Sequence, residues 1–310
     1  MQSLKRLSSV ALVLAFAQIV FGAIVRITGS GMGCGDHWPK CNGAWFPPHD
    51  RIDLVIEITH RYFALALSIV ILALVVAAFR RRREPGVGGR GGLLRPAAAA
   101  GVLVVAAALL GAVTVKFALN PLVIAAHLTI AMSLLGTLAL ALFRAGGLGA
   151  TADFAGATPR TWKSARVAVV LALATLVLGA LTANLPDAAA SCGGFPLCRT
   201  VNASGAALTV HIVHRVIAFL LFGHLLGIAL SVSRRGEPKA IVRVARIAFA
   251  AALVQVLVAA AMIEMHFPAV FRSLHQAVGT FVWLAVVTLA IIAAHAARSL
   301  ARPEMTRMAA

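Results

Sequence analysis

Glu57-Ile58-Thr59-His60-Arg61 places an acid, an imidazole and a guanidinium within two turns at the start of an apolar run that ends near Phe79. At 3.6 residues per turn, Glu57 and His60 share one face of a helix. Ionisable groups inside a membrane span are costly and mark a site by default. The pattern returns as His211-Ile212-Val213-His214-Arg215, and His127 and His275 take matching places in later apolar runs. Any one of these imidazoles alone suits an interhelical hydrogen bond. Recurrence as two pairs at equal depth speaks instead for ligation. Two imidazoles facing each other across a helical bundle suit the axial positions of a haem iron. Zinc also accepts imidazole but prefers four ligands per site, and each half offers a pair.

Arg61 and Arg215 directly follow ligand candidates. They suit either lipid phosphates, reached by snorkelling, or haem propionates, which guanidinium binds in bidentate fashion. Glu57 lies one turn from an iron ligand, where a desolvated carboxyl serves as acid, base or nucleophile. The plainer alternative is a helix-start carboxylate stabilised by the N-terminal dipole. The second repeat has His211 in its place. The halves therefore share a haem-binding plan and are expected to differ in chemistry.

The elements that position these residues are membrane helices. The 310 residues are 61% hydrophobic and 12% charged, with a mean hydropathy of +0.93. That profile excludes a soluble domain and predicts an all-α polytopic membrane protein. Apolar runs of spanning length lie at 8–27, 55–79, 97–117, 121–143, 163–184, 206–232, 241–264 and 268–297. Most of the basic residues behind the +18 net charge cluster between these runs, at Lys5-Arg6, Arg80 to Arg95, Arg144 to Arg166, Arg234 to Arg246 and Arg298 to Arg307. By the positive-inside rule those segments and both termini are cytoplasmic. The charge then reports topology and anionic membrane lipid, with no nucleic-acid partner expected.

The halves repeat: Gly22 matches Gly179, Cys34 matches Cys192, Cys41 matches Cys198, His60-Arg61 matches His214-Arg215, Pro121 matches Pro268 and His127 matches His275. Each repeat has an even number of spans, so both enter the membrane in the same direction. Two tandem four-helix bundles, 1–150 and 151–310, are expected side by side, related by a pseudo-two-fold axis along the membrane normal. The Gly/Ala/Thr-rich stretch 144–162 reads as a flexible linker between them. All four histidines should lie about 8–9 Å below the outer face, at 1.5 Å per residue.

The four cysteines form two close pairs, Cys34/Cys41 and Cys192/Cys198, in outer loops where disulfides are permitted. The first loop also carries His37 and His49, which leaves a zinc site open in principle. The second loop keeps its cysteines without matching histidines and favours a bridge. A redox-active pair stays open as well. Neither loop has the Cys-x-x-Cys-His spacing of covalent haem attachment. His224, His266 and His295 lack repeat partners and read as structural or interfacial, and Glu264 with His266 suits the rim of an entrance.

The segment Gly22-Ala-Ile-Val-Arg-Ile-Thr-Gly-Ser-Gly-Met-Gly-Cys-Gly-Asp-His-Trp-Pro-Lys-Cys41, followed by Glu57-Ile-Thr-His60-Arg61, resembles the haem A synthase family. The likeness runs over essentially the whole chain, and the loop and Glu-x-x-His-Arg run are its specific parts. It implies oxidation of the C8 methyl of haem O to the formyl of haem A, the prosthetic group of cytochrome oxidases. By that resemblance His60 and His127 ligate the substrate haem O, His214 and His275 hold a resident haem b, and Glu57 assists at the methyl group. A functional Cys34–Cys41 disulfide is implied too, with a haem O synthase as membrane neighbour. No role transfers to Cys192/Cys198. The electron acceptor and any homo-oligomeric state are left open. The bacterial cytoplasmic membrane is the expected location, with the haem sites near the outer face. A quinone-linked di-haem b electron-transfer cytochrome and a haem carrier are the rival readings; Glu57 and the asymmetry of the halves disfavour both.

Overall fold

Leucine, alanine and valine dominate the apolar runs, and the few polar groups within them can be satisfied by intrahelical bonds. In a solvent without water only helices achieve that with a single segment. The computed structural model describes residues 1–47 and 51–308. Its long helices are α1 Gln2–Ile27, α2 Ile52–Arg80, α3 Leu94–Lys116, α4 Pro121–Arg144, α5 Pro159–Asn184, α6 Gly205–Arg234, α7 Lys239–Glu264 and α8 Ala269–Met308. Among the described residues these eight are long and apolar enough to cross a membrane, and the protein is an all-helical multi-pass membrane protein. Pro121 and Pro159 open α4 and α5 in the first turn, where no N–H is required. The Asn120 side chain caps α4 by accepting from the Leu122 N–H at 3.0 Å.

Consecutive helices pack as antiparallel neighbours, and the contacts between halves are symmetric. α1 meets α8 as α5 meets α4, while α4 and α8 meet each other. That pattern is compatible with two bundles about a two-fold axis. Small residues line the contacts: Ala165, Ala168 and Ala172 of α5, Ala245, Ala248 and Ala252 of α7, and Ala290, Ala293 and Ala296 of α8 are all buried. Such residues let helices approach closely where lipid supplies no hydrophobic driving force. Leu65, Ile69 and Leu72 of α2, and Val102, Val105 and Leu109 of α3, are exposed and suited to lipid. Trp283 of α8 donates its indole N–H to the Met132 carbonyl of α4 at 2.8 Å, joining the halves.

Both loops at the disulfide end are built alike. Each holds one bridge, Cys34–Cys41 or Cys192–Cys198, and each has a cis X-Pro peptide, Trp38–Pro39 or Phe195–Pro196. The tight turns α3–α4 and α7–α8 also match, with consecutive left-handed residues at Ala118-Leu119 and His266-Phe267. His266 is thus a turn residue. The stretch between α4 and α5 is anchored where a flexible linker was expected. Phe154 and Ala157 are buried, and Glu237, just before α7, accepts hydrogen bonds from the Thr158 N–H and the Thr158 and Thr161 hydroxyls.

Candidate haem sites

The even-numbered helices present the histidines at the disulfide end. Helix α2 begins three residues earlier than its apolar run, because Ile52-Asp53-Leu54 extends it toward the loop. His60, His127, His214 and His275 accordingly sit about 9–14 Å along their helices at 1.5 Å per residue. His60 and His127 lie within electrostatic reach of each other, and so do His214 and His275. The partners of each sequence-predicted pair thus lie in the same half, close enough for their charges to interact. All four rings are only half-buried.

The preceding odd-numbered helix shapes each ring's seat. A Cβ at Gly22 would lie 3.1 Å from His60 Cε1, one at Gly111 3.3 Å from His127 Cε1, and one at Gly179 2.9 Å from His214 Cε1. Only hydrogen fits there without displacing an imidazole. Four residues before each glycine, one helical turn away, stands a polar group that faces the imidazole. The Gln18 amide nitrogen lies 3.3 Å from His60 Nε2 and donates to the His60 carbonyl at 3.0 Å. His214 Nδ1 donates to the Thr175 carbonyl at 3.1 Å. His127 faces the Ala107 carbonyl, yet its Nδ1 closes no hydrogen bond. In the fourth seat Gln255 precedes Ala259, and its amide nitrogen lies 3.1 Å from His275 Nδ1.

Glu57 is 3% exposed. Its Oε2 accepts from the Cys34 N–H at 2.8 Å, and its Oε1 pairs with Arg61. Arg61 also donates to the carbonyls of His37, Pro39 and Lys40. In the other half Arg215 donates through Nε to His211 Nε2 at 3.1 Å and to the carbonyls of Gly194, Pro196 and Cys192. His211 Nδ1 in turn donates to the Ala188 carbonyl at 2.8 Å. Both arginines thus clamp a disulfide loop onto the histidine-bearing helix, with an acid as partner in one half and an imidazole in the other. Sequence reasoning read them for lipid or propionates; most of the hydrogen bonds they make go to the loops.

Two further arginines emerge only in three dimensions. Arg26, at the end of α1, donates to the Ala183 carbonyl of α5 at 3.3 Å. It lies within electrostatic reach of both Arg272 and His275. Among the described residues neither Arg26 nor Arg272 has a carboxylate partner. Gln18, Gln255 and Arg26 were missed because no repeat partner of the same type flags them; Gln18 and Arg26 each stand one turn from Gly22, the available signal, whereas Gln255 meets His275 only through the packing of α7 on α8.

The remaining candidates are structural. Cys34 and Cys41 are joined to each other, and among the described residues no cluster of three metal-ligating side chains occurs. His49 lies outside the described residues. His224 donates to the Ser164 carbonyl, and His295 packs edge-on between Phe143 and Phe154. Glu264 pairs with Arg199 and accepts from the Phe195 N–H at 2.9 Å, fastening the second disulfide loop to α7.

Haem suits the donor set. Each half offers a pair of imidazoles across a bundle core, and neutral nitrogen donors are what haem iron takes. His60 Nδ1 and His127 Nδ1 are buried without a partner, and the glycine seats leave the rings unobstructed.

A family model described as cytochrome oxidase assembly protein, COX15-CtaA, matches residues 5–287. A protein of Bacillus licheniformis named "Heme A synthase" is 27% identical over 240 residues, covering 76% of this chain and 77% of that protein. One of Geobacillus kaustophilus with the same name is 42% identical over 73 residues, 24% of this chain and 23% of that protein. A Thermus thermophilus protein named "Protoheme IX farnesyltransferase" is 57% identical over 42 residues, 14% of this chain and 7% of that protein.

Proposed function

We propose, from the premise that this chain belongs to the COX15-CtaA family of cytochrome oxidase assembly proteins, that it is an oxidoreductase converting haem O to haem A for cytochrome oxidase. The relatives that share its length are named for that activity. The reaction turns the C8 methyl into a formyl group through hydroxylated stages, and electrons must leave the substrate at each stage. The observation that carries the reading is a pair of imidazole seats built to one plan with an acid beside only one of them.

Residues 1–150 form the substrate half and 151–310 the cofactor half. His60 and His127 hold the iron of haem O, a substrate. His214 and His275 hold haem b, which when bound supplies a one-electron carrier. Glu57 sits one turn from His60 and is held by the Cys34 N–H and Arg61. It fixes the disulfide loop over the substrate seat and offers a carboxylate oxygen for a proton at the methyl carbon. The N–H groups of Arg61 and Arg215 left over from the loops would suit haem propionates. Arg26 and Arg272, which have no carboxylate partner among the described residues, would offer positive charge beside His275 to a second carboxylate pair.

The protein lies in the bacterial cytoplasmic membrane with both termini inside and the disulfide end outward, in keeping with its basic loops. A haem O synthase is the expected neighbour. The electron acceptor is a separate partner.

Acid extraction of the haems after co-expression with a haem O synthase tests the proposal. Haem b together with haem O, a hydroxylated intermediate or haem A is the expected result. Haem b alone despite available haem O would leave an electron-transfer cytochrome, and absence of haem would remove the histidine assignments altogether.

A further inference from the structure

Ferrous iron carries one positive charge less than ferric iron, so uncancelled positive charge nearby favours the reduced form. The charges around the two histidine pairs therefore bear on which way electrons run. The halves repeat in their glycines and histidines, but not in their charges. Next to His60, Arg61 is paired with the Glu57 carboxylate. Next to His214, Arg215 meets His211 instead, which accepts from Arg215 at Nε2 and donates at Nδ1 to the Ala188 carbonyl. An imidazole bonded in that way is neutral, so the charge of Arg215 is left standing.

The second histidine of each pair repeats the contrast. Helix α1 packs on α8 as α5 packs on α4, and the offset that matches Gly22 with Gly179 matches Arg26 with Ala183. The offset that matches His127 with His275 matches Ile124 with Arg272. His275 has Arg26 within electrostatic reach and Arg272 one turn before it on α8, and the two arginines are close enough to repel each other. Around His127 the matching places hold Ala183 and Ile124, which carry no charge. Among the described residues neither arginine has a carboxylate partner, and unpaired charge within a membrane span marks a function by default. At the rim the ion pairs Lys116–Asp36 and Arg199–Glu264 cancel within themselves.

We propose that Arg26, Arg272 and Arg215, with His211 in the place of an acid, raise the midpoint potential of the haem b at His214 and His275 relative to that of the substrate haem, a role that rests on the haem reading above. The step so favoured is one electron passing from ferrous substrate haem to ferric haem b, with no bond made and no proton moved. Propionates do not remove the difference, because haem O brings the same two carboxylates to a seat without counterparts of Arg26 and Arg272. Arg26 belongs to α1, in the N-terminal half, yet its charge acts on a histidine of the C-terminal half. The cofactor site is thus completed by the substrate half, and His211 has a reason to differ from Glu57: an acid there would cancel Arg215.

The test uses the full-length protein carrying its haem b, with redox titration followed by optical spectroscopy. Arg26→Gln is expected to lower the midpoint potential by about 59 mV, a tenfold shift of the one-electron equilibrium. Arg26→Lys keeps the charge and should hold the wild-type value, which a merely structural arginine would not require. Lys116→Gln, a charge lost from the rim of the other half, should leave the haem b potential unchanged. Should Arg26→Gln fail to retain haem b, Arg272→Gln and His211→Glu are expected to lower the potential in the same sense. Unchanged or raised potentials at normal haem content would overturn the proposal, as would loss of haem b from all three of these variants, since the groups would then hold the haem without biasing it. A wild-type protein without haem b would instead overturn the underlying haem reading.

Discussion

Glycine at 22, 111 and 179 matters because an imidazole occupies the space that a side chain would take. The contacts rank the consequences. Gly179→Ala should displace His214 most, Gly22→Ala should displace His60 next, and Gly111→Ala should disturb His127 least. Haem content of the purified variants measures this, with Gly223→Ala as control, because a Cβ at 223 meets nothing within 4 Å. Glu57 allows a sharper division. Glu57→Gln keeps an acceptor for the Cys34 N–H but removes the charge that Arg61 pairs with. We expect haem A formation to fall at least tenfold, with the haem b spectrum of the other half unchanged. A tenfold rate loss corresponds to about 1.4 kcal/mol of barrier. Full activity in Glu57→Gln would remove the carboxylate from the chemistry.

Helix ends and loops show how much of the positioning is local. Glu237, in the turn between α6 and α7, receives the Thr158 N–H and the Thr158 and Thr161 hydroxyls, and Arg235 adds a donor at 3.3 Å. Burial alone would raise its pKa, but the hydroxyls of Thr158 and Thr161, the Thr158 N–H and Arg235 outweigh that, and the net shift is downward from 4.5. A carboxylate depressed in the folded state stabilises above its unfolded pKa, and that contribution is lost as pH falls through the lower folded value. Thermal stability in detergent should therefore decline as pH falls below about 4.5. Glu237→Gln should flatten that decline while costing about 1–3 kcal/mol at neutral pH. A variant with the wild-type pH profile would count against this anchor.

At the scale of the molecule, the two halves meet through α1, α4, α5 and α8, yet each carries its own histidine pair, proposed above as iron ligands. Removing His214 or His275 should abolish the haem b signal while leaving substrate haem bound. Removing His60 or His127 should do the opposite, as pyridine haemochrome spectra with extraction would show. Trp283→Phe cuts the hydrogen bond to Met132 between the halves and should cost about 1 kcal/mol without changing either haem. The spans, the duplication, the four histidines and the paired cysteines were legible in the sequence. Hydropathy over a span length and residue type at a repeated position are local properties of the chain, and a membrane leaves few alternatives to a helix. Other features needed the tertiary structure. Whether Arg61 and Arg215 reach outward or clamp the loops depends on carbonyls about twenty residues away in the chain. That stretch 144–162 is anchored rather than flexible depends on Glu237, far along the sequence. Gln18, Gln255 and Arg26 looked like ordinary polar residues in apolar helices. Their meaning comes from helix rotation and crossing, which bring an odd-numbered helix's polar group against an even-numbered helix's imidazole, and hydropathy carries no record of that rotation.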